Sequence, residues 1–174
     1  MPSGTESSCR AVVCAAAEPV FAVVGTLLQF VSTPEQCGAD LSVMRCGIPP
    51  GALIPLHSHS DPEVFYLLEG RVDVFQDNGI SSGWRTVGAG EVVTIAGGVR
   101  HALRNVTPNE TVAVLVSQTA LYRFFRELGQ PIEPGTLPPR PSPEVITTLL
   151  ELASRYNLWI GSPAENAAIG ITAG

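Results

Sequence analysis

Between residue 19 and about residue 119 the chain reads as short apolar, β-branched runs set off by turn residues. The runs fall at 20–31, 41–48, 64–68, 72–75, 92–95 and 112–116. Between them stand Cys37-Gly38, Pro49-Pro50-Gly51, Glu69-Gly70, Asp77-Asn78-Gly79, Gly88-Ala89-Gly90, Gly97-Gly98 and Thr107-Pro108-Asn109. Short strands broken by turns at this pace predict an antiparallel barrel or sandwich. After Gln118 the period changes. Leu121, Phe124, Phe125 and Leu128 recur at helical spacing, and Gly129 stands where the helix would end. A proline-rich connector covers 130–141. Ser142-Pro143-Glu144 then supplies an N-cap, a first-turn proline and a first-turn acid. The helix it opens would turn Val145, Ile146, Leu149, Leu150, Ala153 and Tyr156 to one side. The chain thus divides into an N-terminal arm or tail (1–18), an all-β domain (19–119), and a helical extension and tail (120–174). Two helices are expected in the extension, with 162–174 as the tail.

Composition narrows the chemistry. All ten Lys+Arg residues are arginine, so Schiff-base catalysis and a phosphate-binding P-loop, which need a lysine amine, are excluded. A formal net charge of −6 and a sequence pI near 5.0 argue against nucleic acid or an anionic membrane as partner. No apolar run reaches the length of a membrane span. The apolar stretch at 11–17 lacks a basic lead, so no secretory signal is read and a cytoplasmic location is expected. Cys9, Cys14, Cys37 and Cys46 form no C-x-x-C pair and are expected to be ordinary thiols.

The chain has only three histidines, His57, His59 and His101. In an extended strand His57 and His59 project to the same face. Asp61-Pro62 interrupts that strand and Glu63 opens the next. If Glu63 points inward, so do Phe65 and Leu67, while Val64, Tyr66 and Leu68 point out. The glycine turn before His101 would aim His101 and Leu103 to one face. Imidazoles and a carboxylate converging from neighbouring strands make a mixed nitrogen/oxygen site for one divalent transition metal: Fe, Mn, Ni, Cu or Zn. Asn105 reads as a turn or strand-end residue, and Met44 and Cys46 as pocket mouth or plain core. Arg100 and Arg104 should face outward, and Phe124/Phe125 should be helix packing rather than a cover over the pocket.

Residues 51–70 follow G-x5-H-x-H-x3-E-x6-G at every defining position. Residues 90–105 follow G-x5-P-x-G-x2-H-x3-N, with Ala96 in place of the proline. On these two motifs the chain resembles a single-domain cupin, and its tail loosely resembles the helical extensions of quercetinase-like bacterial monocupins. The resemblance implies a jelly-roll antiparallel barrel with a metal held by His57, His59, Glu63 and His101. In this superfamily the glutamate is a ligand or a base; as a base its pKa would be raised by the apolar walls of Phe65 and Leu67. The function implied is a metal-dependent dioxygenase acting on an apolar or aromatic hydroxylated small molecule, with Phe65, Leu67 and Leu103 lining the pocket and Glu63 as the catalytic carboxylate. The alternatives are an isomerase or lyase acting on a small acid or sugar, or a non-catalytic binding module. A homodimer is expected.

Overall fold

The computed structural model describes residues 19–133 and 135–172. The N-terminal arm, with Cys9 and Cys14, lies outside the described residues. The first apolar run does not make one strand. Val24 and Gly25, both at positive φ (45° and 85°), fold it into a hairpin of β1 (Val20–Val23) and β2 (Thr26–Ser32). A one-turn helix, α1 (Pro34–Cys37), follows, opened by a reciprocal Thr33–Gln36 capping box. Then come β3 (Ser42–Ile48), β4 (Leu53–Ser58), β5 (Glu63–Glu69), β6 (Arg71–Asp77), β7 (Ser82–Gly88), β8 (Val92–Ile95), β9 (Arg100–Arg104) and β10 (Thr111–Ser117). The extension supplies α2 (Thr119–Leu128), β11 (Gln130–Ile132), α3 (Pro143–Arg155), β12 (Trp159–Ile160) and α4 (Pro163–Ala168).

The strands form two antiparallel sheets, ordered β11-β1-β2-β3-β10-β5-β8 and β12-β4-β9-β6-β7. No strand pairing joins them among the described residues, so the expected closed barrel is instead a jelly-roll sandwich of two sheets. Each sheet ends on one side in a two- or three-residue strand from the extension, which caps the edge rather than linking it to the other sheet. The expected two-helix extension also needs correction. It holds three helices, and the presumed tail carries α4. The signal was in the sequence, since Ser162 and Glu165 close a capping box.

The alternation of β5 is as expected: Glu63, Phe65 and Leu67 are buried, Tyr66 and Leu68 exposed. These inner faces meet Leu28, Phe30, Met44, Leu103 and Leu115 in the main core. Each such side chain contributes about 1.5–3 kcal/mol by leaving water. A second, smaller cluster of Leu56, Phe75, Ala102 and Ile171 lies on the other face of the five-stranded sheet. On α3 the buried positions are Leu152 and Ala153, whereas Leu150, placed by periodicity on the packed side, is 56% exposed. The helix leans its apolar face partly over a cavity, so the stripe is only half covered by core. No helix among the described residues is long and apolar enough to cross a membrane.

Candidate metal centre

His57 sits near the end of β4, His101 near the start of β9, and the two are directly opposed in the ladder. Directly opposed residues share a face, and their ring centroids are 4.1 Å apart. His59 comes from the loop after β4, and Glu63 opens β5 in the facing sheet. The ligand atoms of all four residues lie within 4.8 Å of one another. Glu63 Oε2 is 3.2 Å from His101 Nε2 and 3.4 Å from His59 Nε2. His59, Glu63 and His101 are buried, and His57 is the member half-open to the cavity.

The loop that carries His59 is tied down from three sides. Gly98 N–H donates to His59 O at 2.7 Å, Ser117 Oγ donates to Pro62 O at 2.8 Å, and Leu121 N–H of α2 donates to Asp61 Oδ2 at 2.8 Å. Each ring is also oriented from behind. His57 Nδ1 meets Pro55 O at 2.8 Å, His59 Nδ1 meets Asp61 O at 2.7 Å, and His101 Nδ1 meets Val99 O at 2.8 Å. A carbonyl can only accept, so each Nδ1 carries a proton and each ring turns its Nε2 inward, where it is bare whenever the ring is neutral. His59 Nε2 and His101 Nε2 are buried with no hydrogen-bond partner, although Glu63 Oε2 lies only 3.4 and 3.2 Å away. Buried orphan nitrogens facing a carboxylate across a few ångströms fit a cation ligated by three nitrogens and one oxygen.

The electrostatics agree. Burial pushes the His57 imidazole down, the neighbouring His101 adds to this, and its pKa falls to about 3. Burial alone would raise Glu63, but the imidazoles of His101 and His59 outweigh it and hold the carboxyl well below the usual carboxylate range. The expectation of a base with a raised pKa is therefore reversed, because histidines rather than Phe65 and Leu67 set its surroundings. For His59 burial works downward, yet Glu63 and the Asp61 carbonyl overcome it and raise the pKa. A cation at the centre would compete with that proton.

A cavity of about 200 Å³ opens onto the cluster. Phe65 and Leu103 line it as expected. Leu67 does not; it is one turn of the pleat further along β5, 1% exposed in the core. Cys46 lines the cavity while Met44 is pure core. Phe124 and Phe125 also line it, together with Ile146 and Leu149 of α3, which corrects their reading as packing alone. The helical period marked an apolar face without saying that the face covers a void. Arg100 and Arg104 point away, stacked on Trp159 and Trp84. Asn105 is a strand-end clamp, its amide donating to Ile48 O and Asn109 O.

The family model described as Cupin domain matches residues 44–117, which contain all four cluster residues. The chain carries a cupin domain. Three solved structures share its fold. A predicted oxalate decarboxylase from Thermotoga maritima is 22% identical with a TM-score of 0.52, over 62% of this chain and 98% of that one. A cupin 2 conserved barrel domain protein from Salinispora arenicola is 20% identical at 0.52, over 64% and 91%. A mutant oxalate decarboxylase from Bacillus subtilis is 21% identical at 0.52 over 63% of this chain, and the match spans only 30% of that longer chain. No curated protein matches the sequence. In the cupin domain the motif glycines Gly51, Gly70, Gly90 and Gly98 all have positive φ, between 74° and 83°, the turn geometry that spaces the ligand strands.

Proposed function

We propose that the protein is a metal-dependent dioxygenase acting on an apolar, hydroxylated small molecule. One observation carries this reading: the cavity ends on His57, His59 and Glu63 of the cluster, and its other walls are almost wholly apolar. A substrate there meets polar groups at one end and hydrocarbon along its length. A divalent cation held by His57, His59, Glu63 and His101 would supply Lewis acidity and open coordination positions. The apolar walls bind the body of the substrate and exclude water. His57, half-open to the cavity, faces the reacting end. Glu63, set among the three imidazoles, would hold the cation with its carboxylate oxygen.

The cavity wall has no arginine among the described residues. A small dianionic acid or a phosphosugar would find the cation but no second cationic group to meet its remaining charge, which counts against the isomerase and lyase readings. Oxygen consumption should be measured against flavonols, catechols and 1,3-diketones after reconstitution with Fe, Mn, Ni or Co. Consumption with one of these classes, abolished in His57→Ala/His59→Ala, is the expected result. No consumption with any metal, together with turnover of oxalate in the absence of oxygen, would replace the dioxygenase with a decarboxylase.

A further inference from the structure

His57 faces the metal centre only because β4 contains a bulge. Ile54 pairs with Leu103, but His57 pairs with His101, so the register shifts by one residue between them. Without the shift, Leu56 would stand opposite His101 and face inward, and His57 would face out. With it, Pro55 and Leu56 together oppose Ala102, the side-chain parity flips, and Leu56 packs with Ala102 on the outer face. At the bulge Leu56 turns both its N–H and its C=O toward the C-terminal segment. Here the Leu56 N–H is taken by the side chain of Asn166, on α4, at 2.8 Å to Oδ1. Asn166 is 8% exposed, and its Nδ2 donates to Gly161 O at 2.9 Å and to Ser162 O at 3.0 Å. Its amide orientation is thereby fixed: the oxygen must face the donor and the nitrogen the two carbonyls. Gly161 N–H donates to Leu56 O at 2.7 Å, and Ile160 pairs with His57. A Cβ at Gly161 would press within 3.0 Å of Leu56 O and 3.3 Å of Asn166 Nδ2, so the glycine permits the close approach.

We infer that Asn166, more than a hundred residues downstream of the first ligands, is a positioning residue that locks the Pro55–Leu56 bulge and so keeps His57 turned toward the metal centre. The inference rests on the metal-centre reading above. Pro55 completes the device, since it lacks an N–H to pair and its carbonyl orients His57 Nδ1. The C-terminal segment is therefore part of the site without touching it.

The test compares Asn166→Ala, Asn166→Asp and Trp84→Phe with the wild type. Trp84→Phe removes another bond to the same segment, Nε1–H to Ile169 O at 2.8 Å, while keeping an aromatic ring on the outer cluster and leaving the Leu56–Asn166 bond in place. Folded state is checked by circular dichroism, cobalt(II) affinity by chelator competition, and ligand geometry by the cobalt(II) visible spectrum. Long-range ¹H–¹⁵N spectra of the metal-free protein report the His57 tautomer. Asn166→Ala should bind cobalt about ten-fold or more weakly, with an altered spectrum and a lost His57 Nδ1–H signal. Trp84→Phe should match the wild type in all three. Asn166→Asp keeps an acceptor for Leu56 N–H but loses the donor to Gly161 O and Ser162 O, so it too should weaken cobalt binding; if Asn166→Ala does not fold, wild-type affinity and spectrum in folded Asn166→Asp overturns the inference. Wild-type affinity and spectrum in folded Asn166→Ala, or an equal loss in Trp84→Phe, overturns it while the metal centre stands. Failure of the wild type to bind cobalt or any of Fe, Mn, Ni, Cu and Zn overturns both.

Discussion

His57 titrates far from its ordinary range, which gives the metal-free protein a defined acid sensitivity. Its folded pKa of about 3 lies below the unfolded value near 6.5, so the unfolded chain binds more protons between those limits. The stabilisation is complete above about pH 6.5 and is lost as pH falls toward 3. Glu63, also depressed, loses its contribution on the acid side below the ordinary carboxylate pKa. His59, raised, has the opposite sign: its contribution is present at low pH and disappears as pH rises through its folded pKa. One proton amounts to about 1.4 kcal/mol per pH unit. Urea unfolding in the presence of a chelator, followed from pH 7 to pH 4, should therefore show a slope that His57→Gln lowers by about that much. An unchanged slope in the variant would mean that His57 is solvated when the site is empty of cation. The four cluster residues were legible in the sequence because the spacing of His57, His59 and Glu63 is local and His101 follows its own glycine turn, although His59 lies in the loop after β4 rather than in the strand. Their inward direction was not, since β4 offers apolar Leu53, Ile54 and Leu56 to both faces and conceals the bulge that sets the parity.

Among the elements, the turn between β8 and β9 meets the loop between β4 and β5. Gly98 N–H holds His59 O, and Gly97 packs so closely on Ser60 that a Cβ would overlap its carbonyl oxygen. Backbone on both sides leaves no flexible side chain to give way. Gly97→Ala should accordingly destabilise the fold by about 1–3 kcal/mol and weaken metal binding, since the displaced loop carries His59. Matched denaturant unfolding and cobalt titration of the variant check both effects; wild-type behaviour in each would show that the two loops move independently. The Gly97-Gly98 pair announced a turn in the sequence, but the contact that demands Gly97 is across 37 residues of chain and left no local mark. The same holds for α2. Its stripe of Leu121, Phe124, Phe125 and Leu128 predicted a helix with one buried face, and the helix formed. Periodicity reports that a face is buried; it carries no information on whether core or cavity lies beneath.

Across the whole molecule the C-terminal extension does two things that the all-β domain cannot do alone. It roofs the cavity with residues of α2 and α3, and through β12 and α4 it covers β4, the strand that bears His57. Without β12, β4 would be the open edge of its sheet. The extension is itself fastened at several points: Arg155 pairs with Glu127 across α3 and α2 at 2.6 Å, Trp84 holds Ile169, and Arg100 stacks on Trp159 while facing Glu165 at 3.7 Å. The exposed ion pairs add little; the apolar burial of Leu152, Ala153 and Ile171 adds more. A chain ending at Pro141 loses that burial, exposes Leu56 and Phe75, and frees the Leu56 amide. Several kcal/mol are lost, so the melting temperature should fall by about 10 °C or more. The shortened chain should also bind a hydrophobic dye and release cobalt faster than the full chain. Because the α3 part of the roof and the β4 cover are removed together, Leu149→Ala separates them: it opens the roof alone, and should admit bulkier apolar ligands while leaving cobalt affinity intact. If the shortened chain kept both its melting temperature and its cobalt, the all-β domain would be self-sufficient and the extension a passive appendage. The bulge at Pro55–Leu56 argues otherwise, because its free amide has its partner only in α4.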